Sequence, residues 1–368
     1  MLNSALEVVQ ELEKNGFKAY IVGGFVRDYL LGIKTSDIDI CTSAKPKEII
    51  DIFENTTLPK EDYGSVSVNY KRYVFEVTTF RKESNYSDYR HPEEIIYIDD
   101  LKEDLTRRDF TINTICIDKN GKVLDLLGGS KDLYLKVIKT VGDSNTKFHD
   151  DPLRILRAIR FMAKLDFELS DEVVSAIKIN KHLLKEISYD RKRQELDKIL
   201  LGKNAKEGIN MIIKLGLDKE LEISNLDDIV LSDSLVGMWA QLNIPTNTYT
   251  FSNSEKELIN DIKKVIKLDN LDHYNLYKYG LYVNSVAGVI KGISRNNISK
   301  EYEKLVITSR KNIDITSYDI MNNLNIKPGP KINKIYGELE KEILRGTLKN
   351  SKEEIIKYCL EKFSSDIK

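Results

Sequence analysis

A pair of glycines, Gly23 and Gly24, is followed by Arg27 and Asp28 and then, nine residues on, by Asp37, Ile38 and Asp39. A double glycine at a strand-to-helix turn lets backbone amides come close to an anion, and an arginine one turn into the helix adds a charge-assisted partner. The segment therefore has the parts of a triphosphate cradle. Asp37 and Asp39 stand two apart in an alternating run, which sends both carboxylates to one face of a strand, where like charges are costly unless a cation neutralises them. Magnesium is the natural cation. A two-metal site uses hard oxygen ligands to hold two ions about 3.5–4 Å apart, one activating an attacking hydroxyl and one binding a triphosphate. Glu76, between Phe75 and Val77, offers a third carboxylate. Alone, a Gly-Gly turn is usually only a turn and an Asp/Ile alternation a solvated strand face; in this order and spacing they are specific.

A second group runs Glu103, Asp104, Leu105, Thr106, Arg107, Arg108, Asp109, Phe110, Thr111, Ile112, Asn113. Adjacent arginines held by Asp109 would turn a guanidinium toward a triphosphate, with Asn113 placed for sugar or phosphate oxygens. Standing alone, the run would read as a surface salt-bridge network. The third group runs from Asp150 and Asp151 through Pro152, Arg154, Arg157 and Arg160 to Phe161. Pro152 suits a first helical position and Asp150 or Asp151 a cap, and the arginines recur every three residues with no intervening acid to neutralise them. Asp151 and Arg154, one turn apart, can read a base: the carboxylate accepts from an exocyclic amino group and the guanidinium donates to a ring nitrogen. Cytosine and adenine present that pair on the Watson-Crick edge. Uracil and guanine present a carbonyl beside a ring N–H and are refused. A capping acid with solvated arginines is the commoner explanation of such a helix in an arbitrary protein.

The elements that must position these groups follow from apolar spacing. Leu2, Ala5, Leu6, Val9 and Leu12 predict a helix stopped by Gly16, then a strand over Ala19–Val22, a short helix over Phe25–Leu31 ended by Gly32, and a strand over Ile38–Cys41. Val66–Tyr70 and Tyr73–Thr79 read as a hairpin around Lys71 and Arg72. Thr111–Ile117 and Val123–Leu126 read as another around Asn120 and Gly121, giving about five strands before residue 140. From Pro152 onward helical spacing takes over, through Leu153, Leu156 and Ile159 to Leu196, Ile199 and Leu200, and the remainder reads as all helical. Breaks fall near Gly202, Ser232–Ser234, Pro245 and Pro328–Pro330.

The 368 residues include 57 Lys plus Arg against 58 Asp plus Glu and are 41% hydrophobic, the composition of a soluble globular protein, which excludes disorder and collagen. No apolar stretch approaches the ~18 residues of a membrane helix, and Glu7, Glu11 and Glu13 stand where a leader would be basic and then apolar, so a cytoplasmic location is expected. Cys41, Cys116 and Cys359 lie far apart without a CxxC pair, which predicts reduced structural thiols and neither disulfides nor a cysteine zinc site. With a net charge of -1, a nucleic-acid partner would have to be held by local basic clusters.

Taken together the motifs resemble the bacterial class II CCA-adding tRNA nucleotidyltransferases, which belong to the polymerase-β-type nucleotidyltransferases along with bacterial poly(A) polymerase. The resemblance runs from one end of the chain to the other. It takes in a head motif over Gly23–Asp39, an Arg-Arg-Asp motif at Arg107, Arg108 and Asp109, and a connecting motif at Leu124–Gly129 with Asp132. A templating motif over Asp150–Arg154, a neck motif at Ile187–Arg191 with Glu195, and a tail at Pro328–Pro330 complete it. It implies an α/β head domain with a polymerase-β-like sheet at 1–140, then an all-α neck (141–202), body (203–300) and tail (301–368), with the cleft between head and neck. It implies that Gly23, Gly24, Arg27, Arg108 and Asn113 bind the nucleotide, that Asp37 and Asp39 hold two Mg2+ ions, with Glu76 and Arg108 in the catalytic set, and that Asp151 and Arg154 select the base, with Arg157 and Arg160 nearby. CTP and ATP would be the substrates, and tRNA, held by its acceptor and T arms, the partner, with no membrane and no obligate protein partner.

The segment Thr78–Arg81 through Asn85–Pro92 resembles the flexible loop of full CCA adders, which is shortened in enzymes that add only CC. Asp150 and Asp190 stand where the family usually has Glu. Poly(A) polymerase and a CC-only or A-only adder are the alternatives within the superfamily. A noncatalytic tRNA-binding protein is the alternative outside it, and has no use for paired acids beside a phosphate path. His149 next to Asp150 imitates an HD phosphohydrolase motif, but His91, His149, His182 and His273 are too few and scattered for such a site. Trp239, Tyr274, Tyr277, Tyr279 and Tyr282 are expected in the core rather than stacked on RNA, and Lys327, Lys331 and Lys334 are candidate RNA contacts near the tail.

Overall fold

A computed structural model of the chain describes residues 1–58, 64–86, 92–245 and 248–363. Two compact units are formed, one from Met1–Asp227 with Ile244–Thr250 and one from Asp228–Asn243 with Phe251–Lys368. The first runs α1 (Leu2–Lys14), β1 (Ala19–Val22), α2 (Gly24–Leu30), β2 (Asp39–Thr42), α3 (Pro46–Ile52), β3 (Thr56–Thr57), β4 (Ser65–Tyr70) and β5 (Tyr73–Thr79). It continues β6 (Arg81–Tyr86), β7 (Pro92–Tyr97), α4 (Leu101–Thr106), β8 (Cys116–Ile117), β9 (Val123–Leu124), α5 (Gly129–Tyr134), β10 (Val137–Ile138) and α6 (Ser144–Asp150). Then come α7 (Leu153–Leu165), β11 (Glu168–Leu169), α8 (Asp171–Asn180), α9 (Tyr189–Leu200), α10 (Ala205–Leu215) and α11 (Leu217–Leu221).

The seven-stranded sheet has the order β3-β4-β5-β2-β1-β8-β9. Its pairs are antiparallel except β2 with β5. Register puts Val22, the last residue of β1, opposite Asp39, the first of β2, and Asp39 beside Glu76 of β5. The β1–α2 turn and the acids before β2 therefore meet at one edge. Helix α1 covers the sheet with Ala5, Val8, Val9 and Leu12, all fully buried, and Gly16 beyond its end takes φ +90, which a glycine adopts without cost.

Several elements differ from expectation. Among the described residues ten strands precede residue 140, against the expected five or so. β3 and β10 have two residues each, too short to show a period, and β6 reads Arg-Lys-Glu-Ser-Asn-Tyr, too polar to signal a strand, whereas β8 and β9 are the paired ends of the hairpin expected around Asn120 and Gly121. A short parallel pairing of β10 with β11 also places a strand after Pro152. Thr111–Asn113, expected to begin a strand, forms one turn of 3-10 helix. The threonines here bond outside any ladder instead: Thr111 Oγ1 donates to Asp132 of α5 at 2.7 Å and Thr114 Oγ1, just beyond the turn, to the Thr111 carbonyl at 2.7 Å. Helix α7 begins at Leu153, with Pro152 just outside; Asp150 closes α6, and Asp151 lies in the link, where its Oδ1 accepts the Leu153 amide at 3.2 Å.

The second unit is helical among the described residues, and several of its helices start on side-chain caps. Ser252 and Glu255 form a reciprocal capping box, as do Thr316 and Asp319. One core gathers Leu276, Ile320, Leu339 and Ile355, with Tyr274 and Tyr277 packed against it. Trp239 is buried, edge-on to Phe251 at 5.3 Å. Tyr282 departs from the core expectation at 53% exposed. All three cysteines are free and buried.

Candidate active site

A cleft of about 1140 Å³ in the first unit is lined by Gly23, Gly24, Arg27, Asp37, Asp39, Arg108, Asn113, Asp151, Arg154, Arg157 and Arg160. Three segments far apart in the chain thus share one chamber. Asp37 lies two residues before β2, yet burial still alternates through it: Ile38 and Ile40 are buried, and Asp37 and Asp39 face the cleft. Glu76 does not line the cleft. It stands beside Asp39 in the register of β2 and β5 and is one of the charges that act on the Asp39 carboxyl.

Gly23 explains why this edge is open. It has φ +84, and a Cβ there would sit 3.3 Å from Asp39 Oδ2 and 3.7 Å from Arg108 Nη1. Burial, then the charges of Asp37 and Glu76, push the Asp39 carboxyl up to about 6. A carboxylate made basic by its neighbours suits a divalent cation, and magnesium needs only one or two protein carboxylates when phosphate oxygens complete its shell. The residues present fit that ion.

Across Gly23, Arg108 has a buried Nε with no hydrogen-bond partner. Its Nη2 donates to Asp104 Oδ2 at 3.4 Å, and Arg107 Nε donates to Asp104 Oδ1 at 2.9 Å. The acid that holds the paired arginines is therefore Asp104, and Asp109 does something else. Asp109 Oδ2 accepts Arg157 Nε at 2.9 Å, and its Oδ1 accepts the Phe110 amide at 2.8 Å and Asn113 Nδ2 at 2.9 Å. Burial alone would raise this carboxyl, but Arg157 and those hydrogen bonds hold it well below the usual carboxylate range.

Two of the α7 arginines are likewise neutralised, by acids distant in sequence. Arg157 pairs with Asp109, and Arg160 with Glu195 of α9 at 3.0 Å. Arg27 is buried, bound to Asp28 Oδ1 at 2.6 Å and Asn113 Oδ1 at 2.6 Å, and Lys164 Nζ reaches the other oxygen of Asp28 at 2.8 Å. Phe161 collects three of these cations over its ring, Arg27 at 4.8 Å, Arg160 at 4.6 Å and Arg157 at 5.8 Å, and meets Phe110 edge-on at 5.6 Å. Asp151 receives Arg191 of the neck segment on Oδ1 at 3.2 Å. Arg154 is buried and donates Nη1 to the Lys147 carbonyl at 3.1 Å and Nη2 to the Arg107 carbonyl at 3.4 Å. Each terminal nitrogen retains a second N–H, and the plane of the guanidinium is fixed.

The Leu124–Gly129 motif acts as a fastener. Asp125 accepts the amides of Gly129 and Ser130, each at 2.9 Å, and Asp132 holds Thr111, so the turn carrying Asn113 is pinned to α5. Sequence reasoning missed Asp104, Asp28, Lys164 and Phe161 as site-builders, and Lys198 and Lys203, which also line the cleft. The acids stood inside quoted motifs, but their partners are set by tertiary contact; Phe161 gave only an apolar helical position.

The sheet, the glycine turn and the acids at β2 define the α/β part of the first unit as a polymerase-β-type nucleotidyltransferase head. A family model described as "Poly A polymerase head domain" matches residues 19–139. "Probable RNA and SrmB- binding site of polymerase A" matches 166–223, and "tRNA nucleotidyltransferase domain 2 putative" matches 239–359. The CCA-adding enzyme of Ligilactobacillus salivarius is 37% identical over 383 residues, 96% of this chain and 94% of that one. That of Staphylococcus haemolyticus is 33% identical over 98% of each. The solved Bacillus stearothermophilus CCA-adding enzyme in complex with CTP matches with a TM-score of 0.84 at 25% identity, over 99% of this chain and 98% of that one. The chain belongs to the CCA-adding enzyme family.

Proposed function

We propose that this protein adds C, C and A in turn to the 3′ end of tRNA, using CTP and ATP and releasing pyrophosphate. The observation that carries the reading is the shared cleft: Asp37, Asp39 and the incompletely bonded Arg108 at one end, Asp151 and Arg154 in the same chamber. The open backbone at Gly23 admits the triphosphate, and Arg108 donates to its oxygens as negative charge develops during transfer. Asp37 and Asp39 would hold magnesium, which when bound would supply activation of the attacking 3′-hydroxyl and neutralisation of the phosphates. Arg154, locked by two carbonyls, donates to the ring nitrogen of the incoming base, and Asp151 accepts the exocyclic amino group on the oxygen that Arg191 leaves open. Protein groups, not a nucleic-acid template, thereby choose C and A. Helical segments beyond the head grip the acceptor and T arms through shape and phosphates, as A-form RNA requires.

No helix among the described residues is long and apolar enough to cross a membrane, and we place the reaction in the cytoplasm. Of the segment resembling the flexible loop, Ser87–His91 lies outside the described residues. The test supplies magnesium and a tRNA lacking its last three nucleotides, with each labelled nucleoside triphosphate singly and then CTP with ATP, and resolves products at single-nucleotide length. Two additions from CTP followed by one from ATP are expected. A long adenosine ladder, or arrest at CC, would overturn the reading in favour of a poly(A) polymerase or a CC-only enzyme.

A further inference from the structure

Asp104 is fully buried on α4, between Leu101 and Leu105, and does not line the cleft. A carboxylate in such a place is costly unless its oxygens are matched by donors, and helix packing alone would be served by an apolar side chain. Its donors come from two functional parts. Oδ1 accepts the Arg81 amide at 3.2 Å and Arg107 Nε at 2.9 Å, and Oδ2 accepts Arg108 Nη2 at 3.4 Å. Arg81 opens the β6–β7 hairpin, and Arg107 also reaches Glu83 of β6 at 3.2 Å. The Arg107 carbonyl, in the same turn, receives the base-selecting Arg154 at 3.4 Å. Arg108, with its Nε unpartnered, is held by this carboxylate while its Nη1 points past Gly23 toward Asp39.

We infer that Asp104 is a positioning residue for nucleotidyl transfer: it sets the Arg108 guanidinium over the acids and ties the root of the β6–β7 hairpin to it. The inference rests on the nucleotidyl-transfer reading above. It is tested in the full-length protein by a cycle of Asp104→Asn, Arg108→Ala and the double variant, measuring CTP incorporation into tRNA lacking CCA. Asp104→Asn is expected to lower kcat/KM for CTP by the order of 100-fold, the cost of a misplaced reacting group, while KM for tRNA stays unchanged. The double variant should then be no worse than Arg108→Ala within about 2-fold, because Asp104 acts through that arginine. Multiplying losses, or a wild-type kcat/KM in Asp104→Asn, would overturn the inference.

If Asp104→Asn lacks a cooperative unfolding transition, Asp104→Glu carries the same cycle. It keeps the charge and displaces it by one methylene, so an Arg108-dependent loss is expected and wild-type kinetics would overturn the inference. Failure of the wild type itself to extend tRNA would sink the reaction and not the positioning, which the same cycle then decides from equilibrium binding of CTP.

Discussion

Asp39 is the residue whose needs the protein alone leaves unmet. Its carboxyl is pushed up to about 6 from an ordinary 3.8 by burial and by Asp37 and Glu76. A group whose folded-state pKa is raised favours the folded state when protonated; that contribution is complete below about pH 4 and is lost as the pH rises through about 6. Asp39→Asn removes the ionisation. In EDTA at pH 8 the variant should be more stable than the wild type by about 1–2 kcal/mol after allowance for solvent screening, with the difference vanishing near pH 4. Urea unfolding at the two pH values measures this, and equal stability at pH 8 would refute it. The same variant should lose CTP incorporation while binding tRNA normally, because the acid is there for the cation and not for the fold. Retained incorporation in Asp39→Asn would remove it from the metal site.

Two fasteners hold the elements that bring these residues together. One is the join between the head and α7, made by Arg157 with Asp109, Lys164 with Asp28, and Phe161 beneath its arginines. The other is the packing of α5 on the Thr111 turn, where a Cβ at Gly129 would lie 2.1 Å from the Thr111 carbonyl oxygen. Gly129→Ala is therefore expected to destabilise the protein by about 3 kcal/mol through overpacking, seen as a lower urea midpoint at unchanged m-value. A midpoint equal to wild type would show that the turn yields. Long or strongly periodic elements were legible in the sequence: α1, β1, α2 and the β4–β5 hairpin lie within a residue or two of expectation. The two-residue strands β3 and β10 were not legible, because two positions cannot show a period, while β8 and β9 were, because Asn120 and Gly121 mark their turn; the 3-10 turn at Thr111 was hidden because its apolar spacing resembles a strand while its threonines bond out of the ladder.

For the molecule as a whole, a net charge of -1 means that any hold on RNA must come from local cation clusters. Lys327 and Lys334 are exposed at the start of the Pro330–Leu344 helix region in the second unit. If they contact phosphate as proposed, Lys327→Glu with Lys334→Glu should weaken tRNA binding and reduce the slope of log K against log salt by about 1 per residue, with kcat at saturating tRNA unchanged. An unaltered slope would make them ordinary surface lysines. The glycines, acids and arginines of the cleft were readable from motif order, since the chemistry demands those types at short spacings, whereas Phe161, Lys164, Lys198 and Lys203, which line the same cleft, were not. What was not readable is which acid serves which arginine: Asp104, not Asp109, holds Arg107 and Arg108, and Asp109 and Glu195 neutralise Arg157 and Arg160 across the fold. If side chains take the place of a template, base choice must depend on Arg154, and incorporation of all four nucleoside triphosphates by wild type and Arg154→Ala on tRNA lacking CCA measures that dependence. Loss of about 1–3 kcal/mol of discrimination against UTP and GTP, with tRNA binding intact, is the predicted result; an undiminished preference for C and A in the variant would contradict it.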